Sequence, residues 1–152
     1  MAEKTYKIDL SLGFKTFEIK FKEFEEPVYI QFNPADEDLP KRLFEAQKMI
    51  DEKTEKIKEY SVDENGIPNT DEYIQTQDEI NKAIYEAIDY AFGNKISEQI
   101  FKHCSPVAKT DGKLFVLQFI EKISPILEKI VKDETKKANA HIDKYYSKYA
   151  KK

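Results

Sequence analysis

An α+β fold, with a short N-terminal antiparallel β-hairpin or ribbon and then a mainly helical body of about four to five helices, follows from three observations. Apolar residues alternate with polar ones up to Phe32 and recur every three to four positions beyond it. The change of period falls at Asn33-Pro34-Ala35-Asp36, a turn signal in which Asn and Asp bond their own backbone and Pro fixes φ. The chain has 10 Phe and 9 Tyr but only 4 Gly, which favours regular elements with a packed core over a disordered chain, despite 36% charged residues.

At 152 residues the chain has the length of one domain. It divides into a β ribbon over 1–33 and a helical body over 38–150, with loops near 61–70 and 104–113. A chain of this size buries about 68–70% of its unfolded surface, enough for a core without disulfide or metal. The single cysteine, Cys104, excludes an internal disulfide and fits a reducing compartment.

In the ribbon, Tyr6, Ile8 and Leu10 alternate with Lys7, Asp9 and Ser11, and Phe17, Ile19 and Phe21 with Glu18, Lys20 and Lys22. Gly13 sits between these runs, where a hairpin turn or bulge belongs. Val28–Phe32 makes a further run, so two or three antiparallel strands are expected, and only within 4–32. The first helix is expected near Asp38, with Pro40 in its first turn and a stripe of Leu43, Phe44, Ala46, Gln47, Ile50, Thr54 and Ile57. A second runs from about Asp71 to Phe92 on Ile80, Ile84, Ala87, Ile88 and Ala91, and Gly93 ends it as a left-handed residue. A short helix follows around Lys95 to His103. The last helical stretch begins near Leu114, and Pro125 must kink it or restart it, with Ser124 as cap.

No residue is assigned a catalytic or metal-binding role. His103 and Cys104 are adjacent, but a nucleophilic pair needs a third group to orient the base. Asp36, Glu37 and Asp38 lack the spacing of a calcium loop and suit the start of a helix, where the dipole favours acids. No phosphate-binding or nucleophile-elbow motif occurs, and no cofactor or small-molecule substrate is expected. No apolar run reaches the length of a membrane span or a signal peptide, so a cytoplasmic protein without membrane contact is expected.

Net charge is −4, but residues 136–152 carry Lys136, Lys137, Lys144, Lys148, Lys151 and Lys152 against Asp143 alone. Tyr145, Tyr146 and Tyr149 interleave with these lysines. Such a tail can touch nucleic acid, but the acidic whole argues against it. The helix after Pro125 spans about 25 residues, or roughly 37 Å. It is too long to be buried entirely in so small a domain. Ile142, Tyr145 and Tyr149 are therefore expected to contact another chain, with Lys144 and Lys148 steering an acidic partner.

The segments Ile88-Asp89-Tyr90-Ala91-Phe92-Gly93 and Ile96-Ser97-Glu98-Gln99-Ile100-Phe101 resemble a pattern in small tail assembly chaperones of long-tailed phages. There a helix ends at Phe-Gly, a short Ser/Ala-Glu-x-Ile/Leu-Phe helix follows, and a loop and a further helix come next. Phe32-Asn33-Pro34-Ala35-Asp36 with Leu39-Pro40-Lys41-Arg42-Leu43 is similar to proteins from tail-gene clusters of phages and prophages of low-GC Gram-positive bacteria. The charged helix 45–60 and the loop 61–70 depart from that pattern. The resemblance makes Phe92, Gly93, Ser97, Glu98, Ile100 and Phe101 a structural motif. It implies a non-enzymatic helper in the host cytoplasm that binds the tape-measure protein, and with it the tube protein or another tail protein; self-association is a further expectation, from the excess length of the last helix. Two other readings stand beside it: a structural tail or virion component, and a small regulatory or anti-defence protein that binds a host factor.

Overall fold

The computed structural model describes residues 3–55, 66 and 70–150, leaving aside the side chains of 70, 143 and 145–150. Two strands, β1 (Lys15–Ile19) and β2 (Val28–Phe32), precede α1 (Leu39–Glu55), α2 (Thr70–Phe92) and the one-turn α3 (Ser97–Ile100). Two-residue strands β3 (Lys109–Thr110) and β4 (Lys113–Leu114) then lead into α4 (Phe115–Ala150). This is the expected α+β arrangement: an antiparallel hairpin, then a mostly helical body with four helices among the described residues. The loop expected at 61–70 lies outside the described residues apart from Gly66 and Thr70, as does Ile57.

The hairpin pairs Lys15 with Phe32, Phe17 with Ile30 and Ile19 with Val28. Alternation then puts Val28, Ile30 and Phe32 on the face that meets the helices, and all three are buried. Phe32 stacks on Phe17 at 4.5 Å, across the diagonal of the ladder. It also meets the edge of Phe92 at 4.8 Å, and Phe92 lies 5.9 Å from Phe119 of α4. One chain of rings thus joins the sheet to α2 and α4.

α1 contributes Leu39, Leu43, Ala46 and Ile50 to the core, spaced by four and three. α2 contributes Ile80, Ile84, Ile88, Ala91 and Phe92, and α4 contributes Val116, Ile120, Ile123 and Leu127. Ile96, Ile100 and Phe101 close the core around α3. Gly93 has φ +69°, the left-handed value its place after α2 requires.

Five expectations are corrected. Tyr6–Leu10 is not a strand: residues 3–14 join no sheet. β2 is buried on its inner face, whereas β1 reaches only half burial at Phe17 and Ile19. A third strand beyond β1 would therefore lie past the helical layer, with nothing to cover it. Strands also occur outside 4–32, because Asp111 (φ +53°) and Gly112 (φ +77°) turn β3 back onto β4. Positive φ at both central residues is the hairpin geometry that Asp-Gly favours, and two residues per strand are too few to show a period.

The third correction is at Pro125, where α4 continues instead of restarting. Ser124 is no cap: its hydroxyl donates to the Ile120 carbonyl at 2.6 Å, one turn back. Pro125 is exposed, so water can serve the carbonyl that loses its donor, while Ile123 and Leu127 keep the buried face intact on either side. The fourth concerns Phe44, which is 69% exposed and outside the core stripe. The short helix is also narrower than expected, one turn at Ser97–Ile100.

Phe101→Ala is expected to lower unfolding stability by about 3–5 kcal/mol, the usual cost of emptying a large core site. Phe44→Ala should stay within about 0.5 kcal/mol of the parent. Denaturant melts of both variants test the division, and equal losses would contradict it.

Candidate functional site

The resemblance motif forms a corner rather than a pocket. Asp89, near the end of α2, accepts at Oδ1 from the N–H groups of Ile96 (2.9 Å) and Ser97 (2.8 Å) and at Oδ2 from the Ser97 hydroxyl (3.0 Å). Ser97 is the buried polar residue of the core, at 1% exposure, so this carboxylate satisfies a group that would otherwise be costly. Gly93 supplies the bend that lets Asp89 reach forward. Phe92, Ile100 and Phe101 fill the core beneath, and Glu98 stays exposed. Burial, and then the charge of Glu98, push the Tyr85 hydroxyl above its ordinary pKa. Asp89 was missed as a site residue in the sequence. Its signal, an acid eight positions before Ser97 across a glycine, is visible only once the corner is known.

Arg42 locks the other side of the corner. Its Nε donates to the Ala91 carbonyl at 3.0 Å and its Nη2 to Asp36 Oδ2 at 2.7 Å. A cation thus meets a late carbonyl of α2, where the helix dipole favours it. The Arg42 hydrogen bond, with a second from the Asp38 N–H, holds the Asp36 carboxyl below its usual pKa of 3.8. Asp36 is thereby engaged in joining α1 to α2.

His103 stacks on Phe24 at 3.8 Å and meets the edge of Phe21 at 5.1 Å. The Cys104 thiol donates to the Ser105 carbonyl at 3.4 Å, and burial raises its pKa. These contacts hold the ring against phenylalanines and favour the thiol over the nucleophilic thiolate. Elsewhere, Gln47, Leu114, Leu117, Ile120, Glu121 and Ser124 line an open groove. Its ionised groups are Lys113 and Glu121, paired at 2.6 Å. Among the described residues no group of three or more His, Cys, Asp or Glu side chains is placed to hold a metal, and no helix is long and apolar enough to cross a membrane.

The largest uncovered element is the second half of α4. Its 36 residues extend about 54 Å. Burial stops at Leu127; Ile130 and Glu134 are half-buried, and 135–142 are exposed. Lys15 pairs with Glu134 at 3.4 Å, marking where the helix passes the start of β1. At 100° per residue, positions 138, 142, 145 and 149 fall within about 60° of Leu127, so the core-facing stripe runs on without a core. Ile142 is 50% exposed and Lys144 is exposed. Lys148, Tyr145 and Tyr149 belong to α4, but their side chains lie outside the described residues. Ile142 and Lys144 thus both lie on the exposed last part of α4, about 160° apart around its axis, and the structure does not bring them together.

No protein-family model, curated protein or solved structure matches the chain.

Asp89→Ala is expected to cost about 2–4 kcal/mol, since it strips three bonds from a charged acceptor and orphans the Ser97 hydroxyl. A denaturant melt checks it. For Asp36, a folded pKa below the unfolded one means stabilisation present above the unfolded value and lost as pH falls through the folded one. Asp36→Asn should therefore melt lower than the parent near neutral pH, with the gap closing on acidification below about pH 4. A gap that is the same at both pH values would place the effect elsewhere.

Proposed function

We propose that this chain is a non-enzymatic binding protein that covers an apolar helical surface on a partner. Within that class we read it as a tail assembly chaperone for the tape-measure protein of a long-tailed phage, acting in the host cytoplasm. The observation that carries the binding role is α4: its apolar stripe continues past Leu127 with no core to receive it, flanked by lysines. A tape-measure protein is long and helical and exposes apolar stripes that aggregate alone. An amphipathic helix can lie along such a stripe and be displaced later by a competing surface, with no nucleotide needed. The lysines of the helix end speed the encounter with an acidic partner. The phage assignment itself rests on the resemblance carried by residues 32–43 and 88–101.

Removing residues 139–152 tests this reading. The deleted part contributes nothing to the described core, so the shortened protein is expected to unfold cooperatively, near the midpoint of the full chain. Co-expressed with the tape-measure protein of its own gene cluster, the full chain should keep that protein soluble and co-purify with it, and the shortened chain should do neither. Unimpaired association after the deletion would move the binding surface elsewhere, and retention in finished particles would favour a structural tail component.

A further inference from the structure

The N-terminal segment is a second uncovered part among the described residues. Tyr6, Ile8, Leu10, Leu12 and Phe14 alternate with polar residues or Gly13, and the first four are 77, 81, 89 and 72% exposed. Single exposed apolar residues need no explanation, but exposed apolar residues at the alternate positions 6, 8, 10 and 12, which share one face wherever the segment is extended, form a patch that soluble monomers rarely show. No backbone hydrogen bond ties residues 3–14 to another part of the described chain; Gly13 N–H bonds the nearby Ser11 hydroxyl at 3.1 Å. β1, directly after this arm, is bonded to β2 on one side only, and its apolar residues Phe17 and Ile19 are half-buried. On β2's other side Asn94 Nδ2 donates to the Gln31 carbonyl at 2.7 Å. Each molecule thus carries one unpaired segment that alternates like a strand and one open five-residue edge on β1.

We propose that the arm adds as an antiparallel strand to the β1 edge of a second copy of this chain, which returns its own arm in a two-fold exchanged pair. The residues themselves suggest the register. Setting Ile8 opposite Phe17 puts Tyr6 beside Ile19 on the apolar face. On the other face it sets Lys7 against Glu18 and Asp9 against Thr16, so opposite charges meet and no like charges face each other. The second copy supplies what the single chain lacks. β1 is the last strand with partial helical cover, so an arm folded back on its own β1 stays exposed on its apolar side, whereas a two-fold pair brings two such sides together. An extended arm of about eleven residues reaches roughly 35 Å, ample to cross to a neighbour. Exchanging an element in this way is a low-cost route to a dimer, and strand addition satisfies the edge that would otherwise template aggregation.

The test begins with the mass of the full chain by light scattering after gel filtration. A dimer is expected, and Ile8→Asp with Leu10→Asp should convert it to a monomer that keeps the helical circular dichroism signal and still unfolds cooperatively, at a lower midpoint because the dimer contact is gone. Cross-linking then identifies the contact. In a Cys104→Ser background, separately purified Lys7→Cys and Glu18→Cys chains are mixed, unfolded, refolded together and oxidised. A disulfide between the two different chains is expected, since paired positions lie within bridging distance. A monomeric full chain, an oligomer unaffected by the two aspartates, or failure of the mixed chains to cross-link while a Lys7→Cys, Glu18→Cys double variant closes within one chain would each overturn the proposal. The α4 deletion leaves the arm intact, so loss of partner binding there and loss of dimer here are separate results.

Discussion

The burial of Phe32 is the constraint from which the rest of the structure follows. Its ring is fully covered, stacked on Phe17 and set against the edge of Phe92, which in turn approaches Phe119. A two-stranded hairpin alone is marginal in water, so it needs one face seated on helices. Phe32 provides that seat, at the end of β2 and just before the turn into α1. Because the seat lies under β2, helical cover fades across β1 and is gone beyond it. The same fact that stabilises the hairpin therefore leaves the N-terminal arm bare.

The second organising element is polar. The end of α2 is held by two ionic groups acting in opposite directions along the chain. Asp89 reaches forward to the N–H groups and hydroxyl of α3, and Arg42 reaches across from α1 to the Ala91 carbonyl. Between them the backbone turns at Gly93 with a positive φ. Helix ends leave donors and acceptors without intrahelical partners, and this corner supplies partners from both neighbours while apolar rings fill the space beneath. Motif residues 92–101 are thus best understood as the fixture that sets α3 against the core. The tip of α4 and the arm extend beyond this fixture, with the Lys15–Glu134 pair near the point where both leave the core.

Much of this was legible in the sequence. The change of period near Asn33, the Gly93 stop, the stripes of α1 and α2 and the burial of Phe92, Ile100 and Phe101 all arise from local rules, because an amphipathic face specifies its own buried side whatever it packs against. The excess length of the last helix was legible on the same ground. What was not legible depended on partners distant in sequence. The stripe of α1 did not reveal that Phe44 falls off the core, and the Asp111-Gly112 signal marked a loop without its two short strands. Ser124-Pro125 carried the chemistry of a helix start. The packing of Ile123 and Leu127 on the core overrode it, since an exposed proline costs a hydrogen bond while a break would cost buried area.

The sequence by itself determined which face of each element is apolar and that α2 stops at Gly93, because alternation, helical spacing and glycine conformation are properties of short stretches. Only the tertiary structure decided how many of those faces find cover. Tyr6, Ile8 and Leu10 alternate as well as Val28, Ile30 and Phe32 do, yet the first set is bare and the second is buried. The physical reason is that a pattern states what a segment needs, whereas burial requires a finite helical surface, and in this chain that surface is used up at β1 and at Leu127.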